Sequence, residues 1–107
     1  MEINQYEIVI VNLDPTIGSE IKKTRPCVVI SPNEMNKYLN TVVVAPVTGQ
    51  SKSYPTRVRF KNQKTSGWVV LDQVRTVDKR RIIKIAGNLS INTIDKVKKI
   101  IKETYVD

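Results

Sequence analysis

The chain has no histidine and only one cysteine, Cys27, among its 107 residues. Histidine is the commonest proton shuttle near neutral pH, so its absence excludes the usual acid–base route of nucleases and every His-ligated metal site. A single thiol forms no internal disulfide, and Cys27 stands in an apolar stretch that is typical of a core strand. We therefore expect Cys27 to be a buried, inert residue and the protein to use no cofactor.

Long apolar runs are also missing from the sequence. No stretch approaches the roughly 20 apolar residues of a membrane span, and the first residues lack the basic and apolar regions of a signal peptide. The sequence thus predicts a cytoplasmic protein with no membrane partner. A chain of this length suits one domain with its own core, which we expect to cover residues 1–107.

Positive charge, by contrast, is abundant. Eighteen Lys and Arg residues stand against ten Asp and Glu, which gives a net charge of +8. Such an imbalance favours polyanionic partners, with phosphate backbones the foremost example. A high net charge also keeps a small protein in solution, so composition alone leaves both interpretations open.

Short β-branched stretches recur along the chain, and a helical period ends it. The predicted strands are Glu7 to Leu13, Cys27 to Ser31, Thr41 to Ala45, Thr56 to Phe60, Gly67 to Leu71 and Ile82 to about Gly87. The fourth and fifth can pair as a hairpin, and residues 33–40 suit one short helical turn. Ile94, Val97, Ile100 and Ile101 predict a C-terminal helix that Ser90 or Asn92 caps. The fold class expected is mainly β (small α+β), as a strongly bent sheet or small barrel with a C-terminal α-helix.

Two polar segments carry groups suited to chemistry on RNA. The 2′-OH of RNA attacks the adjacent phosphate if a protein positions it and stabilises the crowded phosphorane. Arg25 suits that duty because a planar guanidinium places two donors on one phosphate. Thr48 offers a hydroxyl, and Gln50 and Ser51 offer further neutral hydrogen bonds. An arginine before a strand is also typical of a solvated surface charge, so this alternative stays open.

Four sequence blocks resemble the MazF/PemK family of toxin endoribonucleases from type II toxin-antitoxin systems. The blocks, in the family's order, are Val11 to Thr16 with Gly18-Ser19-Glu20, Arg25 to Pro32, Pro46 to Pro55, and Leu71 to Arg75. The resemblance implies an SH3-like barrel, a homodimer whose interface binds single-stranded RNA, and a cognate antitoxin protein. It also implies sequence-specific, metal-independent cleavage of mRNA, which leaves a 2′,3′-cyclic phosphate and a 5′-OH.

The resemblance also implies roles for individual residues. By position, Arg25 corresponds to the family's catalytic arginine and Thr48 to its catalytic threonine, while Glu20 lies in the active-site loop. A guanidinium is a poor general base, so the proton acceptor is unresolved and Glu20 is the best carboxylate candidate. The predicted site therefore has catalytic Arg25, Thr48 and Glu20, no metal, and RNA-binding Ser19, Gln50, Ser51, Asp72, Gln73 and Arg75.

Several other interpretations remain open at the level of the sequence. Trp68 either stacks on an unpaired base or packs in a core or dimer interface. Asp72 and Gln73 either read base edges or cap a turn. The basic residues that either attract phosphate or form a solvated face are Lys79, Arg80, Arg81 and Lys84. For the whole protein, the alternatives are a non-catalytic nucleic-acid-binding barrel and an interaction domain for an acidic protein, and an RNA cleavage assay separates both from a nuclease.

Overall fold

The structure is a computed structural model that describes residues 1–13, 24–62 and 65–106. These residues form seven strands and two α-helices, which confirms the predicted mainly β fold with a C-terminal helix. The elements are β1 (Glu7–Asn12), β2 (Thr24–Val29), α1 (Asn33–Tyr38), β3 (Thr41–Thr48), β4 (Arg57–Lys61), β5 (Ser66–Val70), β6 (Arg75–Asp78), β7 (Ile82–Asn88) and α2 (Ile91–Ile101). Within the described ranges, no helix is both long and apolar enough to cross a membrane.

The strands pair antiparallel in the order β4-β5-β3-β2-β1-β7, and β6 pairs with β3 as well. Because β2 occupies one edge of β3, β5 and β6 share the other edge, with the 3-10 turn Leu71–Gln73 between them. On that edge β6 pairs with residues 41–44 of β3, and β5 pairs with residues 47–48. The gap in the pairing falls beside Pro46, which has no N–H to donate to a ladder.

Strand β6 is absent from the elements that the sequence predicts. Its four residues, Arg75 to Asp78, contain a single buried side chain, Val77, so the alternation of apolar and polar residues is too short to recognise. The pairing with β3 rather than local propensity makes this segment a strand. This pairing has a consequence for the site, because it fixes Arg75 next to β3.

Both faces of the central strands are apolar, and each face packs into its own core. The helix-side core contains Ile8, Val28, Ala45, Val47, Val58, Phe60, Val69, Leu71, Leu89 and Val97. The second core contains Ile3, Val9, Val11, Cys27, Val29, Val42, Val44, Val77 and Ile82. Successive residues of a strand point to opposite faces, so Cys27 and Val29 face the second core whereas Val28 faces the helix-side core.

Helix α2 covers the helix-side core as its sequence period predicts. Val97 is fully buried, and Ile94, Ile100 and Ile101 pack against the same core. Of the two candidate caps, the structure uses Ser90, whose hydroxyl accepts a hydrogen bond from the Thr93 N–H at 3.2 Å. A π-helical turn, Lys102–Val106, continues the helix, and the Tyr105 hydroxyl donates to the Leu71 carbonyl at 2.5 Å. The C-terminus is thereby tied to the turn between β5 and β6.

The remaining local predictions are also confirmed. Helix α1 forms the predicted turn after β2, where buried Asn36 donates to the Ser31 carbonyl at 2.8 Å. Strands β4 and β5 form the predicted hairpin, with Val58 opposite Val69. Residues 14–23, between β1 and β2, lie outside the described residues.

Candidate active site and nucleic-acid interface

Arg25 stands where strand β2 leaves the core. Thr24 and Arg25 are exposed, whereas Cys27, Val28 and Val29 are fully buried, so the strand begins at the rim of the fold and runs inward. Arg25 has the same parity as Cys27 and therefore lies on the second-core face, just beyond the buried part. Among the described residues, the Arg25 guanidinium has no hydrogen-bond or ion-pair partner, so its donors are available to a ligand.

The pairing of β2 with β3 brings Thr48 beside Arg25. Val29 lies opposite Val44 and Cys27 lies opposite Pro46, so one more step of this register places Arg25 across from Thr48. Neighbouring strands are about 4.8 Å apart, and directly opposed side chains share a face. The structure therefore supports a shared position for the two residues that were predicted to be catalytic.

The Thr48 hydroxyl is already engaged in the free protein. Its Oγ1 donates to the Gln50 carbonyl at 3.1 Å, across the turn that follows β3. A hydroxyl has one proton to donate, so binding a phosphate oxygen requires Thr48 to exchange the Gln50 carbonyl for the ligand. The predicted residue Gln50 thus contributes its backbone to the site, and its exposed side chain extends from the same turn.

Gly67 holds β5 unusually close to Thr48. A Cβ atom at position 67 would lie 2.6 Å from the Thr48 carbonyl oxygen and 3.0 Å from Cγ1 of Val47. The backbone of Gly67 also has φ of +156°, a conformation that L side chains rarely adopt. The position of Thr48 therefore depends on Gly67, which has no side chain to take part in a reaction. No sequence pattern marks this glycine as a site residue.

Arg75 is an exposed residue of β6. It lies opposite Val44 on β6 and has the parity of Val77, which places it on the second-core face with Arg25. Burial is the main influence on the Cys27 thiol and raises its pKa to about 11, while both Arg25 and Arg75 act in the lowering direction. Cys27 is fully buried, as the sequence predicts.

Asp72 and Ser51 are held inside a polar network that shapes the loop after β3. Asp72 Oδ1 accepts from Thr56 Oγ1 at 2.9 Å and from Nε of Arg57 at 3.4 Å, and Nη1 of Arg57 donates to Ser51 Oγ at 2.9 Å. Arg57 also lies 4.8 Å from the centre of the Tyr54 ring. Desolvation acts to raise the pKa of Asp72, but the hydrogen bonds from Arg57 and Thr56 outweigh it and lower the pKa below its usual value.

The sequence left open whether Asp72 reads base edges or has a structural role, and its contacts with Thr56 and Arg57 favour the structural role. Arg57, which links the two predicted residues, is not among the site residues that the sequence predicts. Gln73 is exposed in the turn between β5 and β6, beside Asp72. Ser19 and Glu20, the remaining predicted site residues, lie outside the described residues.

The basic cluster after β6 is used largely by the fold. Nζ of Lys79 donates to the Asn36 carbonyl, and Nη1 of Arg81 donates to the Asn12 carbonyl at 3.3 Å. Arg80 binds both carboxylate oxygens of Asp78 at 3.0 Å, and hydrogen bonds from Arg80 lower the pKa of Asp78 to about 2. These contacts favour the structural interpretation of the cluster. Among the residues the structure describes, no group of three or more His, Cys, Asp or Glu side chains is arranged to hold a metal ion.

The sequence matches, over residues 4–105, the family described as PemK-like, MazF-like toxin of type II toxin-antitoxin system. Its fold is similar to that of MazE-MazF from Deinococcus radiodurans, with a TM-score of 0.83 at 25% identity over 96% of this chain and 95% of the other. MazF alone from the same organism has a TM-score of 0.83 at 24% identity, and the match covers 100% of this chain and 99% of the other. An endoribonuclease in complex with its cognate antitoxin from a mycobacterial species has a TM-score of 0.81 at 20% identity, and the match covers 94% of this chain and 92% of the other.

Proposed function

Because the chain belongs to the PemK-like, MazF-like toxins of type II toxin-antitoxin systems, we propose that it is a sequence-specific endoribonuclease that cleaves single-stranded mRNA. The observation that carries this proposal is that Arg25 and Thr48 share a face at the rim, with the exposed Arg75 further along the same face. Such a rim offers a phosphodiester both charge and directed hydrogen bonds. Relatives of similar fold that are named as endoribonucleases support the same activity.

The proposed reaction uses the 2′-OH of the RNA as its nucleophile. The 2′ oxygen bonds to phosphorus as the bond to the 5′ oxygen breaks, which leaves a 2′,3′-cyclic phosphate and a 5′-OH. Arg25 stabilises the charge that develops on the phosphorane and hydrogen-bonds the leaving oxygen, while Thr48 donates to a nonbridging oxygen. The 2′ proton passes to an acceptor, for which Glu20 is the candidate, the leaving 5′ oxygen takes up a proton from solvent, and no step requires a metal ion.

The remaining proposed residues bind the RNA without reacting. Arg75 contributes charge beside the cleaved phosphate, and Gln50 and Gln73 extend from the two turns that border the rim. Ser51 and Asp72 act chiefly through the Arg57 network, which sets the shape of the loop between β3 and β4. Ser19, on a segment outside the described residues, completes the proposed set.

The proposed partners follow from the charge of the chain. A surface that attracts RNA phosphates also attracts an acidic, partly disordered segment, which is the physical basis for inhibition by a cognate antitoxin. The endoribonuclease of similar fold from a mycobacterial species is in complex with its cognate antitoxin. We propose further that residues 1–107 act as one domain, as a homodimer, in the cytoplasm.

The decisive experiment removes the Arg25 guanidinium. RNA cleavage by Arg25→Ala should fall by about a hundredfold to a thousandfold, because a donor aimed at the transition state is lost, while RNA binding stays measurable. Arg80→Ala is the matched control, since it removes an equal charge that the fold pairs with Asp78. Cleavage by Arg25→Ala at the rate of Arg80→Ala would refute the assignment. A non-catalytic binder, the competing function, would leave RNA whole with every variant.

A further inference from the structure

One row of side chains crosses four strands on the face that carries the proposed site. Thr48 lies opposite Trp68 of β5, and Trp68 lies opposite Arg59 of β4, so all three share a face. The β2–β3 register, extended two residues beyond the Cys27–Pro46 pair, places Arg25 at the other end of this row. Three strand spacings make the row about 14 Å long. The row therefore extends well beyond the reacting phosphate, towards the edge strand β4.

Trp68 stands next to Thr48 and is only half-buried. An indole at the centre of a polar row leaves part of its ring accessible, whereas its neighbours Val69 and Val70 are buried, Val69 in the helix-side core. Aromatic faces beside a basic surface are the platforms on which unpaired bases stack, and stacking tolerates any base. The exposed part of Trp68 is thus placed for a base adjacent to the cleaved phosphodiester.

Beyond Trp68 the row reaches a basic groove at the edge of the sheet. Arg59 is exposed and has no described acidic partner, and it borders a groove of about 390 Å³ between β4 and α2. The charged lining of this groove is Arg57, Arg59, Lys96, Lys99 and Glu103. Arg57 is engaged with Asp72, which leaves Arg59, Lys96 and Lys99 as the cations that face an incoming anion.

We propose that the RNA leaves the cleavage site along this row, with a flanking base stacked on Trp68 and a more distant phosphate held by Arg59, Lys96 and Lys99. This inference rests on the proposed ribonuclease function and adds a binding track outside the cleavage site. Stacking next to Thr48 fixes the strand on one side of the scissile bond. The cationic groove then holds the strand by charge, without reading its sequence.

Trp68 is the only tryptophan of the chain, so its fluorescence reports on this track directly. The probe is a short single-stranded RNA that the wild type is first shown to cleave, remade with hydrogen in place of the 2′-OH at the cut. A base stacked on the indole quenches its emission, so titration with this oligonucleotide should quench Trp68 with the same midpoint as binding measured by anisotropy. Saturated binding without quenching would contradict stacking.

A pair of substitutions separates stacking from simple packing. Trp68→Phe keeps an aromatic face and Trp68→Leu keeps an apolar side chain without one. We expect Trp68→Leu to weaken binding of the probe about tenfold or more, and Trp68→Phe to recover most of the loss. Thermal melting of both variants checks their folding. Equal affinities of the two folded variants would overturn the proposal.

The groove is tested through the salt dependence of binding. Arg59→Ala should lower the slope of log affinity against log salt by about 0.7, the change expected for one lost phosphate contact on a single strand. Lys84→Ala is the control, because Lys84 is an exposed cation on β7, at the opposite edge of the sheet. Equal slopes for the two variants would place the strand elsewhere.

The outcomes also separate this proposal from the one on which it rests. If the wild type cleaves no RNA, or if Arg25→Ala cleaves RNA at the wild-type rate, the proposed ribonuclease mechanism fails. If cleavage and its dependence on Arg25 persist while Trp68 emission and the Arg59 slope stay unchanged, only the track fails.

Discussion

The two ends of the β2–β3 pair have different roles: the inner end packs in the core, and the outer end carries the proposed site. At the inner end, Val29 lies opposite Val44, and both side chains are fully buried in the second core. At the outer end, the same face carries Arg25 and Thr48, which lie at the rim and are more exposed than Val29 and Val44. The buried inner pair stabilises the two strands, and because the register is continuous, this pairing also positions Arg25 relative to Thr48.

This contrast predicts that stability and activity respond to different residues of the same two strands. Buried apolar groups contribute to the free energy of folding through area removed from water, whereas exposed polar groups contribute little. At the rim the same polar groups matter only when a charged phosphorane forms. Substitutions chosen along one face of β3 and its neighbours therefore test the division directly.

Among substitutions in β3 and its neighbour β5, the largest effect is expected from Thr48→Val, which keeps the β-branched shape and removes the hydroxyl. Loss of one hydrogen bond to the developing charge should slow RNA cleavage about a hundredfold, with little change in Tm. Thr48→Ser, which retains a hydroxyl, serves as the control and should recover much of the rate. Single-turnover cleavage with both variants makes the measurement, and equal rates for the two would show that the hydroxyl takes no part.

Val44→Ala tests the inner end of the same face. Loss of two buried methyl groups should lower the free energy of unfolding by about 2 kcal/mol, which corresponds to a Tm lower by roughly 10 °C. Below the transition, cleavage per folded molecule should stay near the wild-type value. A large loss of rate in the folded variant would mean that the two ends are not separable.

Gly67→Ala perturbs the link between the two ends. The added Cβ would meet the Thr48 carbonyl at 2.6 Å, so the strands must separate or Thr48 must move. We expect a loss of about 1–2 kcal/mol in stability together with a lower kcat, because the hydroxyl is displaced. Ser66→Ala, at an exposed position of the same strand, is the control. An unchanged kcat would show that Gly67 does not position Thr48.

Asp72→Asn should have the smallest effect, and the size of this effect depends on pH. The folded state lowers the pKa of Asp72, so its contribution to stability is present above the unfolded pKa of about 3.9 and is lost as the pH falls through the folded value. The variant should be less stable than wild type at neutral pH by less than about 1 kcal/mol, because the pair with Arg57 is partly exposed. Urea unfolding at neutral and acid pH measures this difference, which should disappear in acid.

The sequence predicted elements with strong periods better than contacts between distant segments. The sequence predicts β1, β3 and α2 because the apolar residues of each element recur with the period of a buried strand or helix face. Strand β6 was missed, because its pairing with β3 rather than its four residues determines its structure. The closeness of Gly67 to Thr48 was invisible for the same reason.

The site shows the same division. Arg25, Thr48 and Arg75 were identified through family resemblance, and the register then accounts for their shared face. The role of Arg57 in tying Asp72 to Ser51 depends on a loop geometry that no local pattern encodes. Ser19 and Glu20 lie outside the described residues, so their roles stay predictions.

The most direct test of the central claim replaces one atom of the substrate rather than of the protein. An RNA with hydrogen in place of the 2′-OH only at the cleaved nucleotide should bind the wild-type protein as the parent RNA does and remain uncut. The parent RNA should yield a 2′,3′-cyclic phosphate and a 5′-OH. Cleavage of the modified RNA at the same bond and rate would show that another nucleophile attacks, and would contradict the mechanism proposed for Arg25 and Thr48.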